Sequence, residues 1–139
     1  MFKHQIIRHG NKNFALIIRG YPALQNGIKF ATPNSYSQQV AFMRRPKGYK
    51  ILPHRHIISP RKILWTSEVL LIKRGKVKVL FFNNKNINFK SVILKKWNII
   101  LLIHGTHAFK MLEPSEIIEI KQGPFKAGHD KIILNSIKF

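Results

Sequence analysis

Three histidines and one glutamate carry the spacing that could do chemistry. His54 and His56 flank Arg55. On a strand, residues i and i+2 point to one face, so two imidazoles would present nitrogens to a single point, as a metal site needs. The same pair also reads as two surface histidines on a polar strand end. Glu68 is the only acid before residue 113. It opens Glu68-Val69-Leu70-Leu71-Ile72-Lys73-Arg74-Gly75, and alternation places it with Leu70 and Ile72 on an inner face. A carboxylate there needs a cation or donors nearby. It reads either as a ligand or as a salt-bridge partner for one of many Lys and Arg neighbours. His107 follows a Gly-containing turn after an apolar stretch, in His104-Gly105-Thr106-His107. It is a ligand candidate or an ordinary turn histidine, and His104 competes with it. Arg55 should face away from the two histidines that flank it.

These residues need strands to place them. The chain has 139 residues, enough for one domain with one core. No segment longer than ten residues keeps a 3.6-residue apolar period. Short β-rich runs broken by turn residues dominate, which predicts an all-β sandwich or barrel. The runs predict strands at 5–8, 14–19, 28–31, 39–43, 49–54, 67–73, 76–82, 89–94, 98–103, 107–111, 117–122 and 131–134. Lys76-Val77-Lys78-Val79-Leu80-Phe81 alternates most clearly, with Val77, Val79 and Phe81 inward. Arg74-Gly75 predicts a tight hairpin, and Asn83-Asn84-Lys85-Asn86 a second one. The run 99–103 is apolar on both faces and predicts a central strand.

The chemistry-bearing residues, taken in order, resemble the cupin superfamily, which are small jelly-roll β-barrels. An H-x-H pair, a Glu and a Gly separated from that Glu by six residues look like the first cupin motif, here His54, His56, Glu68 and Gly75. A turn after a hydrophobic strand supplies a last histidine, here His107. The resemblance spans about residues 46–125. It is nearest to small cupins found with polysaccharide and sugar biosynthesis, through Thr66-Ser67-Glu68-Val69-Leu70, Ile99-Ile100-Leu101-Leu102 and the run Ile118-Glu119-Ile120-Lys121-Gln122-Gly123-Pro124-Phe125. Three features depart from the family pattern. Eleven residues separate His56 from Glu68, where three or four are usual. Trp97-Asn98 stands where a Gly-Asp turn is usual. The turn before His107 is one residue short.

The resemblance implies an all-β, single-domain cupin jelly-roll barrel (a double-stranded β-helix) over residues 1–139. N-terminal strands and loops would occupy 1–45 and the core motifs 46–125. It implies one divalent transition metal on His54, His56, Glu68 and His107. A mixed N/O set without sulfur suits Fe, Mn, Ni, Zn or Cu. The ligand would be a small carbohydrate-like or other oxygenated molecule in the barrel mouth. Phe42, Trp65, Phe81, Phe109 and Phe125 are candidates for its walls, or simply core.

Composition bounds the rest. There are no cysteines, which excludes disulfides, thiolate zinc sites and Cys nucleophiles. Lys and Arg number 25 against 5 acids, a net charge of +20. That predicts either a polyanion partner or merely an Ile-, Lys-, Asn- and Phe-rich codon bias, and it suits an anionic small ligand. RNP-like aromatics and a helix-turn-helix pattern are missing, so no specific nucleic-acid site is expected. No apolar stretch is long enough to span a membrane, and the first residues lack the apolar core of a signal peptide. A cytoplasmic protein is therefore expected. The apolar run Phe14-Ala15-Leu16-Ile17-Ile18 predicts a homodimer, if a small barrel leaves it uncovered. Four functions remain open: a metal-dependent enzyme on a carbohydrate-like ligand, a non-catalytic metal- or sugar-binding cupin, a metal-free nucleotide-sugar isomerase or epimerase with His54 as base, and a basic nucleic-acid binder.

Overall fold

A computed structural model describes residues 4–139. It is all-β, with ten strands among the described residues: β1 (His4–His9), β2 (Lys12–Ile18), β3 (Gly27–Phe30), β4 (Ala41–Arg44), β5 (Glu68–Arg74), β6 (Lys76–Phe82), β7 (Asn88–Lys95), β8 (Ile99–Leu102), β9 (Thr106–Met111) and β10 (Glu116–Lys121). No helix among those residues is long and apolar enough to cross a membrane. The residues preceding His4 lie outside the description, so the first part of the expected 1–45 unit does too.

Two sheets sandwich the main core. A five-stranded sheet runs β1-β2-β8-β5-β10, and a three-stranded sheet runs β7-β6-β9. Alternation explains which side chains meet between them. Ala15 and Ile17 of β2, Leu70 and Ile72 of β5, and Ile100 and Leu102 of β8 face Val77, Val79 and Phe81 of β6 and Val92 and Leu94 of β7. The opposite residues of the large sheet, Leu16, Val69 and Leu101, form a second cluster under Tyr36 and Val40. The sheet therefore buries both faces, which is why β8 is apolar on both sides and central. β3 and β4 form a separate two-stranded ribbon.

Several sequence expectations need correction. None of the three sheets closes into a barrel. The expected strand at 49–54 does not form. Pro53 falls inside that run and cannot donate to a ladder, and Pro46 and Pro60 bracket it. The expected strand at 131–134 does not form either. Ile132 and Ile133 there are largely exposed, so no sheet receives the run. Arg74-Gly75 is a corner rather than a hairpin: β5 pairs with β8 and β10, while β6 pairs with β7 and β9. Gly75 makes the corner with φ of 89°, and a Cβ there would run into Ser115 and the Pro114 carbonyl. The Asn83–Asn86 turn does join a true hairpin. The Asn83 side-chain oxygen accepts from the backbone N–H of Lys85 and Ile87, and Asn86 takes the left-handed conformation.

The run from Phe14 to Ile18 is buried within the chain, with β1 on one edge and β8 on the other. The reason for expecting a dimer through that run therefore falls away.

Candidate functional site

Glu68 begins β5 and faces inward with Leu70 and Ile72, as alternation predicts. It sits opposite Leu102 on one neighbour and Lys121 on the other. His107 is on β9, in the other sheet, opposite Phe81. Phe81 is fully buried, so a residue directly across from it also points into the sandwich. The two chemistry-bearing side chains thus enter the same end of the core from separate sheets. Nε2 of His107 lies 3.6 Å from Oε2 of Glu68.

The turn before β9 aims the ring. Gly105 has φ of 86°, and a Cβ there would run into the Phe14 ring. Only glycine lets the chain pass Phe14 so closely. The Gly105 carbonyl then meets Nδ1 of His107 at 3.1 Å. Both ring nitrogens face acceptors. A neutral imidazole donates to one of them and an imidazolium to both.

The Glu68 carboxyl is held below the usual carboxylate range, first by the His107 imidazole beside it, then by the fields of Lys121 and Lys131, against the opposing effect of burial. Lys121 is itself tied to Asp130 at 2.7 Å and Glu119 at 3.5 Å. This end of the sandwich thus brings together a carboxylate, an imidazole and two lysines.

The structure treats the other candidates differently. His54 and His56 lie outside any strand, so the i, i+2 alignment of a ladder does not act on them. Their rings still meet, with centroids 5.5 Å apart, and His54 Nδ1 contacts the Leu52 carbonyl at 2.9 Å. Both are exposed. Among the described residues no three His, Asp or Glu gather as a metal group. The structure brings Glu68 to His107, and His54 to His56, but does not join the two pairs. The proline-broken segment between β4 and β5 is the physical reason. Arg55 lies in the same strandless segment.

The His104 ring packs among aromatic neighbours. Its ring lies 4.9 Å from that of Trp65 and 5.9 Å from that of Phe14. Burial, and then Lys12, lowers its pKa below the usual histidine value. Of the proposed walls, Phe81 is core, Phe42 is buried beside the Tyr21 ring, and Phe109 packs against the core next to His107. Phe125 is exposed under Lys121. Trp65 instead lines a cavity on the other face of the large sheet, together with Gln38 and Lys62. Sequence reasoning missed that cavity. Its one available signal, the polar run 34–39 between Pro33 and Val40, reads only as a loop.

No family model matches the chain, and no curated protein or solved structure matches it.

Proposed function

We propose that the chain is a small cupin-like protein that binds a carbohydrate-like, oxygenated ligand where Glu68 and His107 meet, and that this pair carries its chemistry. The observation behind the reading is the 3.6 Å approach of imidazole to carboxylate from two different sheets. Two turns support the cupin likeness. Gly75 sits at a sheet-to-sheet corner. Trp97, where the family pattern has glycine, takes φ of 64°, which glycine adopts most easily. Asn98 beside it accepts from the Lys95 backbone N–H at 3.0 Å.

In this reading His107 is the general base and Glu68 its positioning partner. The ring takes a proton from the ligand on Nδ1, which the ligand reaches by displacing the Gly105 carbonyl, and the carboxylate facing Nε2 stabilises the imidazolium that results. Lys131 adds positive potential beside Glu68. Isomerisation or epimerisation beside a carbonyl fits such a pair. The base thereby moves from His54, whose ring meets the Leu52 carbonyl and the His56 ring, to His107.

A second reading is a site for one divalent metal (Fe, Mn, Ni, Zn or Cu). Glu68 and His107 already offer one oxygen and one nitrogen donor, and His54 and His56 stand as a second pair. As placed, the four do not form a coordination shell, and no step is derived through an ion.

Elemental analysis and saturation-transfer NMR against a panel of monosaccharides and their phosphates test both readings. The expected result is binding that His107→Gln weakens at least tenfold, with metal well below one per chain. Binding unchanged in His107→Gln, or no binding across the panel, overturns the proposal. One metal per chain, lost in both His54→Ala and His107→Ala, puts the metal reading first.

A further inference from the structure

Every residue from Pro46 to Thr66 is exposed. Pro46, Pro53 and Pro60 keep this segment out of any ladder, so no sheet covers its side chains. Its composition is not that of an ordinary polar loop. It carries Lys47, Lys50, Arg55, Arg61 and Lys62 together with His54 and His56, and no acid. Among the described residues none of those five cations pairs with a carboxylate. The acids that form ion pairs engage Lys73, Arg74, Lys76, His107 and Lys121 instead.

Apolar side chains lie between these cations. Leu52, Ile57, Ile58 and Leu64 are each at least 73% exposed, and Tyr49 and Trp65 are more than half exposed. Neighbouring residues of a non-helical chain point in different directions, yet Ile57 and Ile58 are both almost wholly exposed, so the chain stands clear of the body there. Both ends of the segment are held. Arg45 lies over the Tyr49 ring at 4.6 Å, and residues 62–65 close a cavity over Leu101 and Ile103. A single exposed aliphatic residue is ordinary. Four of them among five cations, in one strandless segment, match the composition of an element that lies in a membrane interface. There aliphatic side chains leave water at the acyl boundary, Tyr and Trp rings settle at headgroup depth, and cations meet anionic lipid. A backbone without a ladder stays among the headgroups, because its polar groups find no partner in hydrocarbon.

We propose that the segment 46–66 docks the chain on an anionic phospholipid bilayer, with Ile57 and Ile58 inserted at its tip and the five cations among the headgroups. Charge selects this occupant. A second copy of the chain would set the same cations against one another. A nucleic-acid strand would satisfy the cations but leave Leu52, Ile57 and Ile58 in water, whereas a bilayer takes up both. The proposal does not rest on the Glu68–His107 reading, whose pair meets inside the sandwich.

Co-sedimentation separates this segment from the general field of a basic chain. The protein is mixed with vesicles of phosphatidylcholine and phosphatidylserine, or of phosphatidylcholine alone, in about 150 mM salt, where charges are screened beyond roughly 8 Å. It should bind the mixed vesicles, and the neutral ones about tenfold more weakly or less still. Ile57→Ser together with Ile58→Ser leaves the charge unchanged and should weaken binding to mixed vesicles about tenfold or more. Arg61→Gln with Lys62→Gln should weaken it by about tenfold. Lys85→Gln with Lys90→Gln removes the same charge from exposed positions on and beside β7, in the other sheet, and should cost less than about threefold. Ile58→Trp places a reporter at the tip, and bromines on the acyl chains should quench its added emission. Polyuridylate should bind more weakly than mixed vesicles at matched anionic charge. No binding at this salt, undiminished binding in the double isoleucine variant, an equal loss in the Lys85 and Lys90 variant, or an Ile58→Trp emission untouched by bromine overturns the proposal. Tighter binding to polyuridylate also overturns it and puts a nucleic acid in place of the bilayer.

Discussion

Glu68 and His107 stand on strands of different sheets, yet Oε2 of one lies 3.6 Å from Nε2 of the other. Neither strand pairs with the other. Their meeting depends on the sandwich being closed at that end, so the pair reports on tertiary packing as well as on chemistry. The carboxylate belongs to the sheet that carries most of the core, and the imidazole arrives on the smaller sheet through the Gly105 turn.

Acid should loosen this arrangement. The folded pKa of Glu68 lies below its ordinary value of 4.5, chiefly because of His107. The contribution is therefore complete above about pH 4.5 and is lost as pH falls through the lower folded value. His104 acts in a higher window. Its folded pKa lies below 6.5, so the unfolded chain takes up a proton first, and stability declines as pH drops below about 6.5. Thermal melts between pH 3 and pH 7 should show both declines in the parent protein. Glu68→Gln should flatten the lower one and keep the upper. An identical acid limb in Glu68→Gln would show that the pair does not contribute to stability.

Gly105→Ala should be costly out of proportion to one methyl group. The residue sits at φ of 86°, and the new Cβ would strike the Phe14 ring, which is buried. Strain and clash together should destabilise by more than about 1 kcal/mol, read from urea denaturation midpoints. The same variant should displace His107, two residues on, and move its imidazole resonances. A variant as stable as the parent, with unshifted resonances, would show that the turn does not set the ring's position.

Equal chemistry at two isoleucines should give unequal costs. Ile17 is fully buried between the sheets, whereas Ile58 is 99% exposed in the strandless segment. Ile17→Ala should lose about 2–5 kcal/mol and Ile58→Ala within about 0.5 kcal/mol. A loss above about 1 kcal/mol at Ile58 would mean that its segment packs against something in solution.

What the sequence disclosed follows from how local each signal is. Period-two alternation needs only neighbours, so the inward set of β6 and the inward turn of Glu68 were legible. The double-faced apolarity of β8 likewise pointed to a centre strand, and Leu101 on one face with Ile100 and Leu102 on the other bears this out. The corner at Gly75 was not legible as a corner. A glycine with positive φ serves a hairpin and a sheet-to-sheet crossing equally, and the difference is set by β8 and β10, which are distant in sequence. Tyr49-Lys50-Ile51-Leu52 has strand-forming residues, but Pro53 and the lack of a receiving edge decide against a strand. The pairing of Glu68 with His107 was expected within a group of four. The structure forms that one contact without adding the histidines of the proline-broken segment. The cavity under Trp65 draws on residues near 36, 63 and 102, and no linear pattern links them.

The net charge of +20 should act as a general field rather than as a sequence-reading surface. Its cations are dispersed along strands and loops. The pairs Lys73–Glu116 and Lys121–Asp130 already engage the acids available near them. No helix among the described residues is present to enter a major groove. Binding to duplex DNA should thus come from counterion release alone and fall steeply between about 50 and 200 mM salt, with random and fixed sequences indistinguishable. Fluorescence anisotropy across that salt range measures the slope. Affinity that persists at the higher salt, and that separates one sequence from another, would restore the nucleic-acid reading and place it ahead of the small-ligand one.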